Sequence, residues 1–314
     1  MKEFDTRAKA KELAEFITPS KLRDFLASKI NGNNLTILEP AIGSGQLLFN
    51  IKDKIKLIDG YDVNDNAISV AKENFAEKIN IFNQDFITCD INKQYDIAIA
   101  NYPFSLKPTE EQKQYICNDK YLSKFYDKEA EPNMLGNFAK KIKTSNITGV
   151  LDFVFILKSF NLANEGYYFC FPGIGYRQQE KVFREYLIKN KYIKEYGIIS
   201  NCQFDHTSIS ILFLHLTKER NETTKSFNLD LKTNEIIEAV ANFDNAIFNM
   251  PQKEVAKEIV DPVELEKQAR QCFLNNLKYN LNISKMLCEL DKDLRDNLPF
   301  DDFKKSLIQA IENI

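Results

Sequence analysis

From Asn34 to Leu216, short runs of β-branched and apolar residues alternate with segments whose apolar residues recur at helical spacing, and this alternation leaves few folds open. Strands separated by helices return parallel to one another, so the pattern predicts an α/β fold: a parallel sheet covered by helices on both faces. Strands are expected at Leu35 to Leu38, Lys56 to Tyr61, Ile79 to Asn83, Tyr95 to Ala100, Gly166 to Phe171, Ile193 to Ile199 and Ile209 to Leu216. Helices are expected at Ser20 to Ile30, Gln46 to Lys52, Asn64 to Lys78, Val150 to Ala163 and Gln178 to Lys189. Only about nine residues join the last two strands, too few for a parallel crossover, so that pair is expected to be antiparallel.

The 314 residues suffice for one sizeable core and a smaller appendage. Periodicity fades between Ser105 and Thr148, which reads as an insertion beside a functional site within a catalytic domain of residues 1–218. The polar run after Thr217 reads as a linker, and residues 228–314 as a mainly helical region broken by prolines. From Ser226 onward 11 basic residues face 16 acidic ones, a net of −5, so this region suits a protein partner better than a nucleic acid.

No run of about 18 apolar residues could span a bilayer, and the charged N-terminus is unlike a secretory signal, so a cytoplasmic location without membrane contact is expected. Six scattered cysteines and two histidines form no metal-binding spacing, and no metal is expected. A net charge of −3 gives no whole-surface attraction to nucleic acid. Between Arg177 and Lys194, however, six basic residues face two acidic ones, and Arg177, Lys181 and Arg184 become candidate phosphate contacts; a solvated helix face explains the charge equally well.

Chemistry concentrates where strands end. After the first strand, Glu39-Pro40-Ala41-Ile42-Gly43-Ser44-Gly45 is a glycine turn leading into a helix, which lets backbone pass close under a ligand; Leu48 stands where a dinucleotide fingerprint needs a third glycine. The second strand ends in Asp62, followed by Val63, about 20 residues beyond the turn, where a carboxylate can accept ribose hydroxyls. Asp85 and Phe86 after the third strand offer a carboxylate and a ring to a base. The strand Tyr95 to Ala100 then runs directly into Asn101-Tyr102-Pro103-Phe104.

This last segment resembles the Asn-Pro-Pro-aromatic signature of the N6-adenine DNA methyltransferases. Phe16-Ile17-Thr18-Pro19 resembles the Phe-x-Thr-Pro element of their γ-ordered branch, and Leu162 to Ile211 is similar to the catalytic core of type I restriction-modification modification subunits. The resemblance implies a Rossmann-like sheet of seven strands with an antiparallel last pair. It implies S-adenosylmethionine as cofactor, bound by Phe16, Thr18, Pro19, Glu39, Pro40, Ala41, Gly43, Gly45, Asp62, Val63, Asp85, Phe86 and Asn101. Catalysis would fall to Asn101, the carbonyl of Tyr102, Pro103 and a stacking Phe104, acting on an adenine flipped out of DNA.

Two departures qualify the resemblance. Tyr102 replaces the first proline of the signature, and the acidic tail of fewer than about 90 residues is too small for a full target-recognition domain, so a separate specificity protein is expected as partner. Methyl transfer to RNA or to protein glutamine, and a non-catalytic cofactor-binding subunit, remain as alternatives.

Overall fold

The computed structural model describes residues 18–126, 142–204 and 207–243, together with short stretches within 266–277 and the positions 305 and 309. Nine strands form one sheet in the order β3-β2-β1-β4-β5-β7-β6-β8-β9. The first five, β1 (Leu35–Glu39), β2 (Ile55–Asp62), β3 (Ile79–Asn83), β4 (Tyr95–Ala100) and β5 (Ala163–Cys170), are mutually parallel. β7 (Thr207–Thr217) lies antiparallel to both β5 and β6 (Ile193–Phe204). The short connection therefore forced the antiparallel pair, and it is tighter than the sequence suggested. Pairing continues through a bulge between Ile199 and Cys202 out to Phe204 with Thr207.

Among the described residues of the first unit, α-helices accompany the sheet at α1 (Ser20–Lys29), α2 (Asp65–Phe75), α3 (Glu110–Asn118), α4 (Asp152–Asn161) and α5 (Lys181–Asn190). The helix expected at Gln46 to Lys52 forms as a 3-10 helix, Gln46–Lys54. Two apolar clusters sandwich the sheet, one around Leu22, Leu26, Ile37, Ile58 and Phe213, the other around Leu38, Ala98, Tyr102, Phe155 and Tyr168. α4 is buried all round, from Asp152 to Phe160, mostly apolar but with Asp152 and Lys158 as buried charges that need partners.

Two expectations are corrected. The sheet has nine strands, not seven, because β8 (Thr224–Asp230) pairs parallel with β6, and β9 (Glu235–Ala241) pairs antiparallel with β8. The polar run after Thr217 is thus no linker out of the domain, and the region from 228 does not begin as helix. The misleading feature is a strand whose buried positions are small hydroxyls: Thr224 and Ser226 face inward beside Phe227. The compact unit extends to Gln252, and Lys253–Ile314 forms a second unit whose described residues are helical.

The segment from Ser105 carries α3, opened by a capping box in which the Thr109 hydroxyl accepts from the Gln112 amide and the Gln112 side chain accepts from the Thr109 amide. Its middle, 127–141, lies outside the described residues. Among the described residues no helix is long and apolar enough to cross a membrane, and no group of histidine, cysteine or acidic side chains is placed to hold a metal.

Candidate active site

The parallel strands β1, β2, β3 and β4 all end at the same edge of the sheet, and the strand order reverses between β1 and β4. Ligands of open α/β sheets bind in the crevice at such a reversal. A cleft of about 320 Å³ occupies it here, lined by residues that follow each of the four strands.

The turn after β1 supplies Pro40, Ala41 and Gly43 to the cleft. Gly43 and Gly45 have φ of 51° and 77°, the left-handed region that favours glycine. At Gly45 a Cβ would also come within 2.7 Å of the Phe75 ring, so close packing of the turn on α2 needs its absence. Asp62 braces the turn from β2. Its carboxylate accepts from the Gly43 amide at 2.7 Å and from the Asn64 amide at 2.9 Å, which leaves further lone pairs for a ligand. Burial raises its pKa, opposed by the amides of Asn64, Gly43 and Val63.

Asp85 and Phe86 line the cleft after β3. The Asp85 carboxylate accepts from the Ile87 amide at 2.9 Å and from the Gln112 side-chain amide at 2.7 Å. Phe86 is buried between the rings of Tyr61 and Phe155.

At the tip of β4, Asn101 and Pro103 face the cleft, and the Asn101 amide donates to the Thr18 hydroxyl at 3.1 Å. The Asn101 side-chain oxygen is buried with no hydrogen-bond partner among the described residues. Tyr102 is 1% exposed and stacks flat on Phe155, with ring centroids 5.4 Å apart. A ring in this core position anchors the loop where proline would have stiffened it. Phe104 packs edge-on against Tyr102 at 6.2 Å and lies outside the cleft lining. Immediately afterwards Ser105, at φ 60°, turns the chain, and its amide donates to Asp152 at the start of α4.

The structure thus gathers Thr18, Pro40, Ala41, Gly43, Asp62, Val63, Asp85, Phe86, Asn101 and Pro103 around one cleft. Pro19, Glu39 and Gly45 support it without lining it, and Phe16 lies outside the described residues. Leu106 and Gln112 of the inserted segment and Phe155 of α4 also line it, and residue patterns did not point to them. The fading periodicity of this segment gave no sign of the helix α3 or of its folding onto Asp85.

Glu39, 1% exposed, has neither carboxylate oxygen in a well-formed hydrogen bond. Burial pushes its pKa well above the usual carboxylate range; the Ala41 amide opposes this and Asp62 adds to it. The folded chain therefore holds a proton that the unfolded chain releases above its ordinary pKa, and stability declines as pH rises toward the folded value. Glu39→Gln is expected to be more stable than the parent at about pH 8, with the gap closing toward about pH 4.5, measured by urea denaturation across pH.

The three basic candidates have different surroundings. Arg177 pairs with Asp152 at 3.0 Å and Glu180 at 2.8 Å, both fully buried carboxylates. Arg184 donates to the carbonyls of Ile174 and Arg177. Both guanidiniums are partly buried and already engaged by acceptors of the chain, with which a phosphate would compete. Lys181 is the exposed one of the three, loosely paired with Glu185 at 3.5 Å.

A glycine turn, a bracing carboxylate and a buried acceptor thus surround the crevice of a mostly parallel sheet. The chain matches the N-6 DNA Methylase family over residues 1–289 and belongs to it. It is 29% identical over 113 residues to the Type II methyltransferase M.CvrRI of Paramecium bursaria Chlorella virus XZ-6E, an alignment covering 34% of this chain and 29% of that protein. It is 28% identical over 91 residues to Ribosomal RNA small subunit methyltransferase A of Mesomycoplasma hyopneumoniae, covering 28% of this chain and 35% of that one. Its fold is that of the type I restriction-modification system methyltransferase subunit of Streptococcus thermophilus, with a TM-score of 0.56 at 19% identity, covering 77% of this chain and 59% of that one.

Proposed function

We propose that the chain transfers a methyl group from S-adenosylmethionine to the exocyclic amino group of an adenine extruded from DNA. The observation that carries the proposal is the buried, unpartnered side-chain oxygen of Asn101, a residue that lines a cleft shared with the glycine turn and Asp62. The residues present fit the cofactor: a turn without side chains for close approach, a carboxylate with spare lone pairs for ribose hydroxyls, and Asp85 with Phe86 for the base. When bound, it supplies a methyl group activated on a sulfonium. The lone pair of an adenine amino group is delocalised into the ring and attacks poorly. The Asn101 oxygen and the Tyr102 carbonyl, by accepting its two hydrogens, would draw the nitrogen toward tetrahedral geometry and fix it in line.

Membership of the N-6 DNA Methylase family supports DNA as the acceptor, and the likeness to a subunit of a type I system supports a partner that supplies sequence recognition. The match to a ribosomal RNA methyltransferase keeps RNA as a second reading. Incubation with tritiated cofactor and DNA, RNA or protein side by side, followed by nucleoside analysis, decides. N6-methyladenine in DNA is expected; label in RNA or protein alone would replace the proposal.

A further inference from the structure

One buried cation is unused by this chemistry. Lys158, on α4, is 8% exposed, and its ammonium donates to the carbonyls of Ile87 at 2.8 Å and Cys89 at 2.5 Å and to the Tyr115 hydroxyl at 3.2 Å. It also lies over the rings of Phe86 at 5.3 Å and Tyr115 at 4.4 Å. Three donors thus meet three acceptors, two on the segment that follows β3 and one on α3. That segment presents Asp85 and Phe86 to the cleft, and α3 presents Gln112, which donates to Asp85. We infer that Lys158 is a positioning residue that clamps the 85–90 segment to α3 as one wall of the cleft, and thereby sets affinity for the cofactor. The affinity clause rests on the proposed use of S-adenosylmethionine; the clamp itself does not.

The clamp depends on charge. A neutral amine keeps two N–H groups for three oxygens and loses its attraction to the rings. Burial lowers the Lys158 pKa to about 8, against the opposing pull of Cys89, Asp119, Asp90 and Asp85. Those groups face it from the 85–90 segment and the end of α3, with the Tyr115 hydroxyl between, itself bonded to Asp90 at 2.8 Å. The clamp is complete below that pH and loosens above it.

Two measurements test this on the full chain. Hydrogen exchange of the ligand-free protein is expected to be faster across 84–90 in Lys158→Met than in the parent. Tyr115→Phe, which removes one acceptor and keeps the ring, is expected to move in the same direction by less. Calorimetric titration with S-adenosylhomocysteine from about pH 6.5 to about pH 9.5 is expected to show the parent Kd rising about tenfold, whereas Lys158→Met binds about tenfold more weakly at neutral pH with a flat profile. Lys158→Arg, charged throughout, is expected to bind with a flat profile near the parent's low-pH value. Unchanged exchange across 84–90 in both Lys158→Met and Tyr115→Phe overturns the clamp, as does a Kd that climbs with pH equally in Lys158→Met. If exchange responds as expected but the parent does not bind S-adenosylhomocysteine, the clamp stands and the cofactor reading fails.

Discussion

Asn101→Ala is expected to lower the rate of methyl transfer by about a hundredfold to a thousandfold, the usual cost of removing one preorganised polar group that acts on the reacting centre. Cofactor affinity is expected to stay within about threefold, because Asp62, the glycine turn and Asp85 are left in place. Stability should change by less than about 1 kcal/mol: the substitution removes the hydrogen bond to Thr18 but also an oxygen that is buried without a partner. Single-turnover kinetics with radiolabelled cofactor give the rate, calorimetry the affinity, and urea denaturation the stability. Unchanged transfer, in the isolated chain or in a complex reconstituted with a recognition subunit, would place catalysis elsewhere and leave this protein as a cofactor-binding component. Asn101→Asp keeps acceptor oxygens at the same point and is expected to retain more activity than the alanine variant.

The second large effect is on stability. Arg177→Ala is expected to destabilise the fold by about 3 kcal/mol, since it strips the counterion from two fully buried carboxylates, Asp152 and Glu180. Lys181→Ala, removing an exposed and loosely paired lysine from the same stretch, should change stability by less than about 0.5 kcal/mol. The penalty for losing Arg177 depends on pH. Burial raises the pKa of both acids, and the guanidinium is among the groups that hold them down. Without it their folded pKa values rise further above the unfolded ones, so the cost is full at neutral pH and shrinks as acidification protonates them. The gap between parent and Arg177→Ala should therefore narrow from about pH 7.5 toward about pH 5, read from denaturation midpoints. If Arg177 instead served chiefly to grip DNA, its alanine variant would denature like the parent while the salt dependence of DNA binding became shallower. Asp152 also receives the Ser105 amide just after Phe104, so loss of this ion pair should loosen the loop that carries Asn101.

The same stretch shows where residue patterns stop informing. Six basic residues in eighteen positions are visible in the sequence, yet whether a guanidinium meets solvent or two buried acids depends on Asp152, 25 positions away, and on a turn of 3-10 helix that brings Glu180 beneath it. Likewise Thr224 and Ser226 are polar in composition and buried in fact, because β8 is paired with β6 on one side and β9 on the other. Nothing local showed where Gln112 and Lys158 would be engaged, since their partners, Asp85, Ile87 and Cys89, come from another part of the chain.

What the sequence determined by itself is local: the period of the apolar residues made the alternating strands and helices, short connections set strand direction, and the residues after β1, β2 and β4 fixed a glycine turn, a carboxylate and an Asn-x-Pro-aromatic tip. What only the tertiary structure decided is which polar groups meet and which are left alone, including the unpartnered Asn101 oxygen and the buried ammonium of Lys158. The physical reason is that backbone propensity and side-chain period act over a few residues, whereas desolvation and charge pairing are properties of an environment assembled from segments far apart in the chain.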